Sequence, residues 1–103
     1  MPTEPQSPYR LVYTGLVQDA LRALAQEAKR RAQESEYRAC LHLIEKRLRA
    51  DPSSYGEPRF ILRHIDLQVR AVATEYIYVR FAVDTTRRIV YVLQCTSSAR
   101  LTD

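Results

Sequence analysis

A chain of 103 residues, 46% of them apolar, can build one modest hydrophobic core and not two. Its net charge is +4, with arginine supplying all but two of the 16 basic side chains, Lys29 and Lys46 being the exceptions. No stretch approaches the roughly 18 consecutive apolar residues of a membrane-spanning helix, and the two cysteines, Cys40 and Cys95, lack zinc-ligand spacing.

The first eight residues, MPTEPQSP, carry three prolines and no apolar run. They read as a flexible leader to a single domain of residues 9–103, not as a signal peptide, and the expected location is therefore the cytoplasm. Reduced thiols are expected there, with Cys40 acting as a small buried hydrophobe. YRLVYT (9–14) alternates like a strand and stops at Thr14-Gly15, where Thr14 is placed to cap a helix. From Leu16 the period changes. Val17, Leu21, Leu24 and Ala28 form an apolar stripe at helical spacing, with Ala20 and Ala25 beside it.

A break near Gln33–Ser35 separates this helix from a second, for which Ser35 is the predicted N-cap and Glu36 a favourable first-turn charge. Its stripe is Tyr37, Cys40, Leu41, Ile44 and Leu48, and Asp51-Pro52 ends it. After the turn-rich DPSSYGEP (51–58), residues 59–65 and 67–74 read as one long bent strand or two short ones. Residues 75–83 and 88–95 read as two more, around a turn at Asp84–Arg87. No crossover helices fit between these strands, so an antiparallel meander is expected. The predicted fold is α+β: an N-terminal strand, a two-helix hairpin, then a three- to four-stranded antiparallel sheet with the hairpin on one face.

Alternation divides EYIYVRFAVD (75–84) into an apolar set, Ile77, Val79, Phe81 and Val83, and a second set, Tyr76, Tyr78, Arg80 and Ala82. On the preceding strand Arg70 alternates with Val69 and Ala71. If the two strands align even residue with even residue, Arg70, Arg80, Tyr76 and Tyr78 share one water-facing surface. Guanidinium groups neutralise phosphates and tyrosine rings stack on unpaired bases, so such a surface suits RNA. Two plainer accounts stay open: arginine richness follows equally from the codons of a GC-rich genome, and Arg80 could pair with Glu75 or Asp66.

The element order, together with ADPSSYGEP at the end of the second helix, VRFAVD and RRIVYVLQC, resembles the RelE/ParE family of toxins from bacterial type II toxin–antitoxin (plasmid-stabilisation) systems. The resemblance spans residues 9 to 100 and rests on short, degenerate motifs. It implies a partner antitoxin protein and one of two activities. RelE-like members are ribosome-dependent messenger endonucleases, and ParE-like members inhibit DNA gyrase. A third outcome is a repurposed member acting only through protein contacts. Neither a cofactor nor a metal is implied, and homodimerisation is left open.

For the nuclease branch the resemblance makes Arg80 the phosphate-binding residue, with Arg70 the second candidate. Active RNA-cleaving relatives add an acid–base His or Tyr near the C-terminal strand. This chain ends QCTSSARLTD, with no His or Tyr beyond Tyr91, which is expected to be packed. His64 and Arg100 complete the candidate catalytic set, although a lone His is more often structural and Arg100 stays protonated. Tyr76, Tyr78, Arg63 and Arg88 are the further candidates for nucleic-acid contact.

Overall fold

Thr14 begins the helical hairpin as its sequence position suggests, its Oγ1 accepting from the Val17 backbone N–H at 3.2 Å. A computed structural model describes residues 8–98 of the chain, so the leader through residue 7 and Arg100 lie outside the described residues. Within them run β1 (Arg10–Tyr13), α1 (Gly15–Arg30), α2 (Glu34–Ala50), a 3₁₀ turn (Pro52–Ser54), β2 (Glu57–Leu62), β3 (Leu67–Ala73), β4 (Ile77–Asp84) and β5 (Ile89–Ser97). No described helix is long and apolar enough to cross a membrane.

The helix break is made by Ala32, in the left-handed region at φ 56. The Gln33 N–H returns to the Ala28 carbonyl at 2.8 Å and the Ala32 N–H to that of Lys29 at 3.2 Å, the pairing of a Schellman C-cap. The second helix then starts at Glu34 with Gln33 at the cap position and no side-chain cap, so Ser35 lies inside the helix. Glu34 and Glu36 in the first turn satisfy the dipole instead.

The sheet has five strands in the order β1-β5-β4-β3-β2. The meander β2 to β5 is antiparallel, and residues 59–65 and 67–74 belong to two separate strands rather than one bent one. β1 breaks the expected pattern by pairing parallel to β5, Arg10 opposite Ile89 and Tyr13 opposite Val92. A parallel neighbour demands a long crossover connection, and the helical hairpin with the meander provides it.

Both helices pack on one sheet face, which we call the covered face. Val17, Ala28, Tyr37, Ile44 and Leu48 from the helices meet Ile77, Val79, Phe81 and Val83 of β4 and Val90, Val92 and Cys95 of β5. Phe81 and Ile77 are wholly buried. Cys40 joins this core from α2, its sulfur 2.9 Å from Thr74 Oγ1. Thr74 in turn donates to the Ile77 carbonyl and accepts from the Ile77 N–H, so the β3–β4 turn is tied to α2. Both cysteines are free thiols.

Candidate functional site

Cross-strand partners lie on the same face, so register decides which side chains share a surface. In the β3–β4 pair Ala73 stands opposite Tyr78, Ala71 opposite Arg80 and Arg70 opposite Phe81. Every even residue of β3 therefore faces an odd residue of β4. Arg80 stands on the face that no described element covers, and Arg70 stands on the other. The expectation that the two arginines share a surface is corrected by this register.

Arg70 is 7% exposed and donates through Nε to the Tyr55 carbonyl and through an Nη to that of Gly56, both at 2.8 Å. It clamps the chain leaving the 3₁₀ turn onto the sheet. Gly56 is held there at φ +74, where a Cβ would stand 2.4 Å from the Ala71 carbonyl oxygen. The Tyr55 ring lies beside Phe81 with 6.4 Å between centroids, and the Arg47 guanidinium covers it at 5.0 Å. Arg70 is a structural cation that spends two of its N–H donors on main-chain carbonyls.

Arg80 differs in every respect. It is half-buried, and it makes no hydrogen bond or ion pair with any described residue. Neither Glu75 nor Asp66 pairs with it. Across the open face its row reads Glu57 on β2, Ala71, Arg80, then Gln94 on β5. Along β4 its same-face neighbours are Tyr78, opposite Ala73 and Thr96, and Ala82, opposite Val69 and Tyr91.

Tyr91 reaches that surface because of a bulge. Arg80 pairs with Gln94 but Phe81 pairs with Val92, which leaves Leu93 as the extra residue, 42% exposed. The bulge reverses the parity of β5, so Tyr91 faces the open side while Cys95 faces the core. Simple alternation put Tyr91 and Cys95 together and missed Tyr91. Only the register shift, invisible in RIVYVLQC, separates them. Burial pushes the Cys95 thiol up to about 11, which suits a core group and not a nucleophile.

Tyr76 is withdrawn from the open face. It sits in the turn before β4, packs against the core, and lines a cavity of about 230 Å³ with Leu24, Ala28 and Tyr37. Arg88, in the turn just before β5, lies 4.3 Å above the Tyr9 ring. His64 and Arg63 are exposed at the tip of the β2–β3 hairpin. The hairpin mouth at Leu67 is four residues from Ala71, hence about 13 Å along the strand from the Arg80 row. His64 is thus not brought to Arg80, and no imidazole stands on the open face among the described residues.

The assembled surface is one guanidinium that no described residue neutralises, between two phenols, on a floor of small side chains: Ala71 and Ala82 are both buried. It can bind an anion and stack a planar ring. No group of three His, Cys, Asp or Glu among the described residues could hold a metal ion. No family model, curated protein or solved structure matches the chain.

Proposed function

We propose that this protein is a RelE/ParE-like toxin whose open sheet face binds single-stranded RNA, with Arg80 as the phosphate ligand. The observation that carries the reading is the Arg80 guanidinium, unpaired among the described residues, between Tyr78 and Tyr91 on a face that no described element covers. A half-buried cation without a counter-ion is an unfavourable arrangement in the free protein, and an arriving phosphate relieves it. Tyr78 and Tyr91 supply sequence-tolerant stacking on either side. In a cleavage reaction, with the 2′-hydroxyl attacking phosphorus and the 5′-oxygen leaving, Arg80 would stabilise charge gathering on the phosphoryl oxygens. The phenols of Tyr78 and Tyr91 are the hydroxyl groups that flank its row on that face.

Fluorescence anisotropy on a labelled octauridylate tests the binding. Arg80→Ala should weaken it roughly tenfold, the scale of a charge-assisted hydrogen bond, and reduce the salt slope by about 0.7. Equal affinity for the parent and Arg80→Ala proteins would sink the proposal. Dosing a cell-free translation reaction, followed by primer extension on the messenger, then tests chemistry. Discrete ribosome-dependent cuts mean an endonuclease, and uncut messenger with normal translation rejects that activity.

A second reading is a protein-directed role, such as gyrase inhibition of the ParE type. It is favoured by the exposed apolar residues of the β2–β3 hairpin, Phe60 at 51%, Ile61 at 56% and Ile65 at 51%. Inhibition of gyrase supercoiling that is lost in Phe60→Ser would support it.

A further inference from the structure

One strand over from Arg80, where β2 begins at the sheet edge, lies a cavity of about 330 Å³ whose walls include Glu57, Arg59, Ala71, Ala73 and Tyr78 and reach Gly56 and Val72. Glu57 and Arg80 flank Ala71 on either side in one cross-strand row, so their backbones stand about 10 Å apart. Only a methyl group lies between them. The slot therefore carries the Glu57 carboxylate, the Arg59 guanidinium and an aromatic ring, Tyr78, on its walls, and Arg80 stands just outside it, beyond Ala71. Glu57 and Arg59 line the same cavity yet form no ion pair with each other or with any other described residue. On the helices some surface charges do pair within a turn, as in Arg31 with Glu27 and Arg38 with Glu34.

From this geometry we infer that the slot is a guanine subsite that selects a guanosine in the RNA strand held by Arg80. The inference rests on the RNA-binding reading above. A carboxylate only accepts hydrogen bonds, so Glu57 favours a base with two adjacent donors on one edge. Guanine offers N1–H and the N2 amino group side by side. Adenine and cytosine place an acceptor nitrogen next to their single amino group, and uracil flanks its N3–H with two carbonyl oxygens that a carboxylate repels. Guanine stacked on Tyr78, with its Watson–Crick edge at Glu57, directs its ribose and phosphate back towards Arg80. The alanines at 71 and 73 leave the floor low enough for a ring to lie over it, and Arg59 at the rim adds a second contact for the backbone.

The test uses the full chain and labelled octauridylates in which one central base is replaced by guanine, hypoxanthine, adenine or cytosine. The guanine oligonucleotide should bind about tenfold more tightly than the all-uridine one, the scale of a bidentate base contact. Hypoxanthine, which lacks the N2 amino group, should lose most of that gain. Glu57→Gln should abolish the preference while leaving all-uridine binding unchanged or tighter, since a negative charge is removed. Equal affinity for every oligonucleotide, with binding still dependent on Arg80, overturns the guanine subsite and leaves the RNA-binding reading standing. A preference that survives in Glu57→Gln overturns it too. Absence of any Arg80-dependent binding overturns both.

Discussion

Replacing Arg70 separates the two arginines that alternation had placed together. Arg70→Met keeps the aliphatic bulk but removes both donors, leaving the carbonyls of Tyr55 and Gly56 without the partners they have at 2.8 Å. Each unsatisfied carbonyl in a buried setting costs about 1–3 kcal/mol. Removing a buried charge returns part of this, so a net loss of about 3 kcal/mol is expected. For a domain of this size total stability is about 5–15 kcal/mol, and a loss of 3 lowers Tm by about 12–24 °C. Urea unfolding followed by tyrosine fluorescence gives the free energy directly, since the chain has seven tyrosines and no tryptophan. Arg70→Lys should recover little, because an ammonium cannot reproduce the fork that reaches two carbonyls at once. RNA affinity per folded molecule should be unchanged. A loss below about 0.5 kcal/mol, or weakened RNA binding by fully folded protein, would refute the assignment of Arg70 to structure.

Gly56→Ala forces a Cβ against the Ala71 carbonyl at positive φ and should cost at least about 2 kcal/mol in the same urea assay. Ala32→Gly should instead stabilise, by up to about 1 kcal/mol, because Ala32 occupies the left-handed position of the Schellman turn. Thr14→Ala removes the cap on Val17 and should cost about 1 kcal/mol, read as a fall in Tm of about 4–8 °C. Burial raises Cys95 to about 11 and Tyr37 to about 12 in the folded chain. The native state therefore holds protons that the unfolded chain has already released, so stability should fall as pH rises from about 9 to 12 and stay flat with respect to these groups below that range. Urea midpoints across that range check the sign, and a thiol reagent at pH 8 should leave Cys95 unmodified until the protein unfolds.

Much of the fold could be read locally. The helical stripes through Val17 and Ala28, and through Tyr37, Ile44 and Leu48, are the buried faces of α1 and α2. Thr14 and Asp51-Pro52 mark real boundaries because caps and prolines act on the residues next to them. The Ala32 turn was less legible, since an alanine in a glycine position gives no compositional signal. The open face was misread for a reason of counting. Four residues, Thr74 to Ile77, separate the paired Ala73 and Tyr78. An even-numbered loop joins an odd residue to an even one and so puts Arg70 opposite Phe81. Period-two patterns say which residues share a face within a strand, but turn length and bulges settle how faces match between strands. The same limit hid Tyr91, restored to the surface by one extra residue at Leu93, and Glu57, whose relation to Arg80 exists only through Ala71.

The parallel pairing of β1 with β5 has a consequence for how the molecule is made. Its contacts join Arg10 to Ile89 and Tyr13 to Val92, about 80 residues apart in the chain. The first of the five strands in chain order is thus among the last to find its neighbour. Until β5 is complete, β1 has no sheet to join and α1 lacks Val90, Val92 and Cys95 beneath it. The four-stranded meander can form from contacts between successive segments, whereas the β1 edge waits for β5, a closure that slows folding. A chain interrupted before Ile89 would keep two helices and three strands but expose the apolar surfaces meant for β5, which makes incomplete products candidates for aggregation and rapid degradation. Closure of the sheet is therefore the step that waits for β5, and it seats β1 and β5 together.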